Sequence, residues 1–138
     1  MLPSRFREVL RTHYDDLRVV ITKHPTDPCL VVYPLKEWEK FEARVRELPT
    51  FNKQAKLLRR VYVGCAQDCD VDKQGRLLVP ADLRARGEID TDVVWKGQIS
   101  FAELWSKDRY DAEVEPAIAR LESGELPELE QALEDLGL

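Results

Sequence analysis

The residues best suited to chemistry lie in a short turn, Asp72-Lys-Gln-Gly75, and in Arg76 directly after it. Asp at the first position and Gly at the fourth favour a type I turn, because the carboxylate caps its own turn and Gly tolerates a positive φ. The turn carries two cations. The Lys73 ammonium group suits a phosphate, and the planar fork of Arg76 fits a phosphate or the O6 and N7 atoms of guanine.

Each cation also has an ordinary structural interpretation. Arg76 could pair with Asp72 across the turn, and Lys73 could be a solvated surface residue. In the DNA interpretation, Arg76 enters a groove as the side chains of a β-ribbon do. Lys73 then contacts phosphate, which positions a protein without specifying sequence. The residues alone leave both interpretations open.

A β-hairpin with this turn at its tip is predicted for residues 69–80, because apolar and polar residues alternate before the turn and an apolar run follows it. Pro80 closes the run and begins a short helix, which extends to Arg86 and is stopped by Gly87. The hairpin and the helix are therefore the elements that must position the two cations.

The same order of elements occurs twice in the chain. In each copy an apolar residue and a Pro precede a short helix, two strands separated by a turn, an aromatic pair and a longer helix. The first copy comprises residues 2–9, 17–22, 30–33 and 33–38, and the second comprises residues 79–86, 92–95, 99–105 and 105–110. A repeat this short buries too little surface to fold alone, so the two copies should share one core.

Arg7 and Arg84 occupy equivalent places on the two short helices. They could line the same surface as the turn and contact DNA. The structural alternative is that they hold the neighbouring carboxylates of Glu8 and Asp82.

Apolar residues recur at helical spacing in four further segments, which predicts amphipathic helices. Their stripes are Trp38, Phe41, Val45 and Leu48; Phe51, Ala55, Leu58 and Tyr62; Tyr110, Val114, Ala117, Ile118 and Leu121; and Leu126, Leu129, Leu133 and Leu136. Pro116 interrupts the third stripe, so a kink or a break is expected there. The chain is thus α+β, and a doubly wound parallel sheet is excluded by the lack of crossover helices.

Two groups on these helices could also serve nucleic-acid binding. Trp38, Trp105 and Tyr110 could stack on bases, but each begins a helical stripe, which favours the core. The cations Lys53, Lys56 and Arg60 face away from their stripe and are interpreted as the solvated side of a helix.

The net charge of −5 is unevenly distributed over the 138 residues. All 21 Lys and Arg residues precede position 121, and six of the 26 acids follow it, so residues 1–120 carry 21 basic against 20 acidic residues. The overall charge therefore does not exclude a nucleic-acid partner. No apolar run or leader pattern indicates a membrane span or a signal peptide, so a cytoplasmic protein is expected.

No arrangement typical of an enzyme or a metal site is found. The two histidines, His13 and His24, have no ligand or triad spacing, and no phosphate-cradling Gly-rich loop is present. Cys29, Cys65 and Cys69 are interpreted as reduced, partly buried thiols. The sequence predicts no catalytic residues, no cofactor and no metal.

Several segments together resemble the MraZ family of bacterial regulators. The segment Arg59-Arg-Val-Tyr-Val-Gly64 leads into Asp70-Val-Asp-Lys-Gln-Gly-Arg-Leu-Leu-Val-Pro80, which contains the Asp-x-x-Gly-Arg motif of the family. Phe101-Ala-Glu-Leu-Trp-Ser106 follows in the same copy, and Pro28-Cys-Leu-Val-Val-Tyr-Pro-Leu-Lys-Glu-Trp38 stands in the other. The resemblance covers nearly the whole chain.

This resemblance implies tandem SpoVT/AbrB-like units of swapped-hairpin β-barrel type, which share one core and carry added helices. The implied divisions are a first unit at residues 1–40, a helical connector at 41–66, a second unit at 67–110 and C-terminal helices with an acidic tail at 111–138. It also implies a nucleoid-associated, sequence-specific DNA-binding regulator, a repressor of its own division and cell-wall gene cluster. That regulator binds short direct repeats in a promoter as a ring-like homo-oligomer.

The resemblance favours DNA contact by the turn, and the positions of the two arginines on the short helices add them as candidates. Arg76, Lys73, Arg84 and Arg7 are the predicted DNA-binding residues, and Asp72 and Gly75 are predicted to shape the turn.

Members of the family begin with a strand and a first Asp-x-x-Gly-Arg motif, whereas this sequence starts at Met1-Leu-Pro3, inside the segment that follows them. Either Met1 is an internal position of a longer chain, or the first hairpin is missing. A missing hairpin would leave the sheet incomplete at the first copy and expose an edge there, which invites strand addition from another chain. The alternative function is therefore a structural or protein-interaction module with weakened DNA binding.

Overall fold

Five β-strands and six α-helices occur along residues 1–137, the part of the chain that a computed structural model describes. The strands are β1 (Arg18–Lys23), β2 (Leu30–Pro34), β3 (Gln67–Asp70), β4 (Val93–Gly97) and β5 (Ala102–Ser106). The helices are α1 (Ser4–Val9), α2 (Leu35–Arg46), α3 (Lys53–Leu58), α4 (Ala81–Arg86), α5 (Lys107–Glu122) and α6 (Pro127–Asp135). π-helical segments continue α1 at Leu10–Tyr14 and α3 at Arg59–Val63.

The strands form one antiparallel sheet in the order β3-β1-β2-β5-β4. At its centre, β2 pairs with β5 so that Val31 lies opposite Glu103. These two residues are equivalent in the repeat, since Val31 lies two positions before Tyr33 and Glu103 lies two positions before the equivalent aromatic residue, Trp105. The β1–β2 and β4–β5 hairpins are therefore related by a pseudo-twofold axis through this residue pair.

Strand β3 departs from that symmetry. It leads into the second copy of the repeat, yet it pairs with β1 of the first copy, where Val19 lies opposite Cys69. This exchange, in which the strand that precedes the second copy pairs with a strand of the first, joins the two copies. A single cluster of buried side chains contains Leu2 and Ile21 from the first copy and Leu83 and Leu104 from the second. The predicted α+β class, with two copies that share one core, is confirmed.

The other face of the sheet carries an aromatic cluster. Trp38 on α2 and Tyr62 after α3 pack against Tyr33, and the hydroxyl groups of the two tyrosines are 2.9 Å apart. Burial raises the pKa of Tyr33 and, more strongly, that of Tyr62. Trp38, Trp105 and Tyr110 are all buried, which confirms that they are core residues.

The predicted hairpin at residues 69–80 is only partly correct. The turn is present and α4 ends before Gly87 as expected, but residues 76–80 form no strand in the described structure. Strand β3 pairs with β1, and the Val71 amide, just after β3, donates to the carbonyl of Leu17. Across the turn, the Asp72 amide donates to the Arg76 carbonyl, and no ladder continues from there between β3 and residues 76–80 in the described structure.

The stripe predicted from Phe51 also needs a correction. Phe51 is 90% exposed, whereas Ala55 and Tyr62 are buried as expected. The side chain of Asn52 accepts hydrogen bonds from the amides of Gln54 and Ala55 and so caps the start of α3. Phe51 therefore precedes the helix and lies off its buried face.

The chain divides into two compact units, Met1–Ser106 and the residues from Lys107 onward. In the second unit, α5 runs unbroken through Pro116, so the break expected there does not occur. Ion pairs one turn apart, such as Lys107–Asp111 at 2.8 Å, support this helix. Among residues 1–137, no helix combines the length and the apolar character needed to span a bilayer.

Candidate nucleic-acid interface

The turn at residues 72–76, which we call the basic turn, is closed by several hydrogen bonds. The Gly75 amide donates to the Asp72 carbonyl, and the Asp72 amide donates to the Arg76 carbonyl, both at 3.0 Å. Asp72 Oδ1 accepts from the amides of Gln74 (2.9 Å) and Arg76 (2.8 Å). Gly75 has a φ of +80°, a value that a residue with a Cβ rarely adopts. Asp72 and Gly75 therefore both take part in the bonds that close the turn.

Arg76 is paired and still accessible. Its Nε donates to Asp72 Oδ2 at 2.8 Å, and its Nη2 donates to Gln74 Oε1 at 2.6 Å. The hydrogen bond from the Arg76 backbone amide and, to a smaller extent, that from its guanidinium group hold the pKa of Asp72 below the usual value. The side chain of Arg76 is nevertheless 65% exposed. The pairing across the turn therefore orients the guanidinium group without covering it.

Lys73 stands at the tip of the basic turn. Its side chain is exposed, and no hydrogen bond or ion pair holds its ammonium group within residues 1–137. A lysine of this kind can follow a phosphate as a mobile point charge. Its DNA-binding role stays a prediction.

Arg7 lies against the basic turn and is half-buried. Its Nη1 is 3.3 Å from the carbonyl oxygen of Gln74, and a Cβ added at Gly75 would lie only 2.1 Å from Arg7 Cδ. The Leu2 amide donates to the Gly75 carbonyl at 2.8 Å. The start of the first copy therefore packs on the turn of the second. The alternative that Arg7 holds Glu8 is wrong, because the guanidinium group turns to residues 74 and 75.

Arg84, the repeat equivalent of Arg7, has a different environment. It is exposed on α4, and no hydrogen bond or ion pair engages its guanidinium group in the described residues. The alternative that it holds Asp82 is wrong, since the Asp82 carboxylate pairs with Arg86 at 3.3 Å. Lys53, Lys56 and Arg60 are also exposed, as expected for the solvated side of a helix.

One titratable cluster escaped the sequence reasoning because its members come from different copies. His24 Nε2 lies 3.7 Å from Asp27 and 4.0 Å from Glu103. His24 Nδ1 accepts from the Asp27 amide at 2.9 Å, so a neutral ring carries its proton on Nε2, facing the carboxylates. Metal ligation would need the Nε2 lone pair instead. The arrangement is therefore better explained by a histidine that holds its own loop through hydrogen bonds than by a metal site.

The fold and the site together define a two-copy α+β protein whose basic turn is preorganised and solvent-accessible. Residues 1–61 and 63–125 match the family described as "MraZ protein, putative antitoxin-like". The chain belongs to the MraZ family.

Curated relatives cover most of the chain. The Transcriptional regulator MraZ of Marinomonas sp. is 41% identical over 98% of this chain and 82% of its own length. That of Lachnoclostridium phytofermentans is 42% identical over 81% of this chain and 74% of its own length, and that of Pseudomonas aeruginosa is 37% identical over 92% and 84%. These comparisons confirm the prediction of a transcriptional regulator that is not an enzyme.

Proposed function

We propose that this regulator binds double-stranded DNA through the basic turn. The observation that carries the proposal is the state of Arg76, which Asp72 and Gln74 hold in one orientation while most of its side chain stays in solvent. A side chain that is already oriented loses less entropy on binding. Its remaining N–H donors can reach a guanine edge or a phosphate, and the neighbouring Lys73 supplies a phosphate contact.

Affinity is expected to come from several copies of the turn. Residues 1–120 are close to neutral, so a single subunit has little general attraction for DNA. A ring-like homo-oligomer would present several basic turns to short direct repeats in a promoter, and it would gain affinity through effective concentration. In this proposal the protein represses its own division and cell-wall gene cluster. Arg84, exposed on α4, would add a contact beside the turn.

The test removes Arg76 and compares it with an arginine in the second unit. Arg76→Ala is expected to abolish specific binding to a promoter fragment with direct repeats at physiological salt in a gel shift. Arg120→Ala removes the same charge from α5 and should bind as the unchanged protein does. Circular dichroism checks that both variants fold. Binding by Arg76→Ala at the unchanged affinity would refute the role of the turn.

A second candidate, a protein-interaction module, is favoured by the outer side of β4. This open side belongs to the second copy and not to the first, where it was expected, because β1 and β2 are each paired on both sides. No strand within residues 1–137 pairs with that side, and the apolar side chains of Met1, Leu78 and Val93 are exposed. An open edge of this kind can accept a strand from another chain. If the unchanged protein does not bind its promoter at all while it forms oligomers in light scattering, this candidate replaces the first.

A further inference from the structure

We infer that Arg7 is a positioning residue for the basic turn and not a DNA contact. The inference rests on the proposed function of that turn. Arg7 belongs to the first copy of the repeat and the basic turn to the second, so the two meet only in the folded chain. In this role, the packing of Arg7 on the turn fixes the orientation in which Lys73 and Arg76 face solvent.

The first support is the way the N-terminal segment is tied to the turn. The Leu2 amide bonds to the Gly75 carbonyl, and Leu2 itself is buried in the shared core. Phe6, on the same helix as Arg7, packs edge-on against Trp95 of β4 with ring centroids 6.1 Å apart. The segment that leads into Arg7 is therefore anchored on the core at two points, Leu2 and Phe6.

The second support is the close approach of Arg7 to Gly75. Only hydrogen atoms on the Gly75 Cα leave room for the Arg7 side chain, since a Cβ there would lie 2.1 Å from Cδ and 2.5 Å from Nε. The glycine at this position thus meets two demands at once, a positive φ and space for the arginine.

The third support is the state of the Arg7 nitrogens. Nε is buried and has no hydrogen-bond partner within the described residues, and Nη1 makes one long bond to the Gln74 carbonyl. A buried Nε cannot reach a phosphate. The desolvation of this group costs free energy, and the packing of the side chain on residues 74 and 75 offsets it.

Arg84 provides an internal comparison for this interpretation. It has the equivalent place on the second short helix but lies exposed, without a turn packed on it among residues 1–137. The contact of Arg7 is therefore not a general property of the repeat. It depends on the exchange that brings the second copy's turn to the first copy's helix.

The first experiment measures the turn without DNA. Hydrogen exchange with mass spectrometry, on a peptide that contains residues 72–76, should show about tenfold faster uptake in Arg7→Ala than in the unchanged protein, because the turn opens more often. Arg5→Ala removes the same charge from an exposed position of α1 and should exchange at the unchanged rate. Unchanged exchange in Arg7→Ala would overturn the inference.

The second experiment separates positioning from phosphate contact. Arg7→Ala should weaken binding to the promoter fragment about tenfold and leave the slope of log K against log salt unchanged. Lys73→Ala, by contrast, should reduce that slope by about one. Arg7→Lys keeps the charge but loses the planar group over Gly75, so it should not restore binding. A lower slope in Arg7→Ala, or full rescue by lysine, would assign Arg7 to the DNA contacts instead.

The two experiments fail in different ways. If the unchanged protein does not bind DNA but Arg7→Ala still loosens the turn, the proposed function is wrong, whereas the structural link between Arg7 and the turn stands. If the protein binds DNA and the turn does not respond, the proposed function stands and the positioning role is wrong.

Discussion

Strands β1 and β4 hold equivalent positions in the two copies but lie in unlike environments. Val19 of β1 lies opposite Pro34, and Val93 of β4 lies opposite Ser106, which holds the same register position in the second copy. Val19 is 2% exposed and Val93 is 38% exposed. Val19 lies in the shared core cluster and has a strand on each side, whereas no strand in the described part of the chain pairs with the outer side of β4. Equivalent positions in the repeat therefore differ in burial because their surroundings differ.

The same difference bears on function. Strand β3, which pairs with β1 and is the edge strand on that side of the sheet, leads directly into the basic turn, so this edge is connected to the candidate DNA site. The open edge has exposed apolar residues, among them Leu78, which is 83% exposed. One edge of the sheet is therefore tied to recognition of DNA in our proposal, and the other is the place where a further chain could add.

The largest expected effect is at Val19, for which Val93 is the equivalent residue in the second copy. Val19→Ala should lower the free energy of unfolding by about 2 kcal/mol, because it removes two buried methyl groups and leaves a cavity. Val93→Ala should cost about 0.5 kcal/mol or less, as expected for a partly exposed site. Urea unfolding followed by circular dichroism measures both values.

Equal losses in the two variants would contradict the comparison, since they would mean that β4 is covered in solution. The concentration dependence of unfolding then identifies the cause. If the cost of Val93→Ala grows with protein concentration, a second chain covers the edge.

A smaller effect is expected at Thr22 of β1. Its side chain is fully buried, and its hydroxyl donates to the carbonyl of Tyr62, which links β1 to the segment after α3. The equivalent register position on β4 is Lys96, which is exposed. Thr22→Val leaves a buried carbonyl without its donor and should cost about 1 to 2 kcal/mol. Thr22→Ser keeps the hydroxyl and is the control.

For Thr22, the ranking of the two variants is the decisive result. A valine variant that is as stable as the unchanged protein, beside a serine variant that is less stable, would show that the hydroxyl bond contributes nothing and that the methyl group alone matters. Thermal unfolding of both, at the same protein concentration, provides the measurement.

Much of the fold was predictable from local patterns. The order of short helix, two strands and longer helix in each copy follows from Pro, turn residues and apolar spacing, and the structure has all of these elements. The turn itself was also predictable, because Asp72 and Gly75 act through bonds within five residues. Such features depend on neighbours in sequence, which the pattern contains.

The features that escaped prediction depend on distant partners. The segment at residues 76–80 has an apolar run that predicts a strand, but no local pattern indicates that β3 pairs with β1 instead. The approach of Arg7 to Gly75 joins residues 68 positions apart, and no local pattern indicates it. Phe51 has the right spacing for a stripe, yet the Asn52 cap excludes it from the helix.

The smallest expected effect concerns the carboxylate that closes the basic turn. The amide of Arg76 is the main cause that lowers the pKa of Asp72, so the charged form is favoured in the folded protein. The contribution to stability is therefore complete above the ordinary carboxylate value of about 4 and is lost as the pH falls below it. Asp72→Asn keeps an oxygen acceptor but does not titrate, so the stability difference from the unchanged protein should shrink between pH 5 and pH 3.

The comparison with Asp72→Asn is needed because the pKa of Glu37 is also lowered in the folded protein, so acid destabilises the unchanged protein at Glu37 as well. The hydroxyl of Tyr14 donates to Glu37 at 2.9 Å and is the first cause of the lowered pKa of that residue, so acid weakens this contact too. The main cause of the lowered pKa of Asp72 is a hydrogen bond from a backbone amide and not an ion pair. The pH dependence of the stability difference between Asp72→Asn and the unchanged protein should therefore persist in high salt, unlike that of a surface ion pair. A difference that stays constant from pH 5 to pH 3 would show that the Asp72 carboxylate does not stabilise the turn.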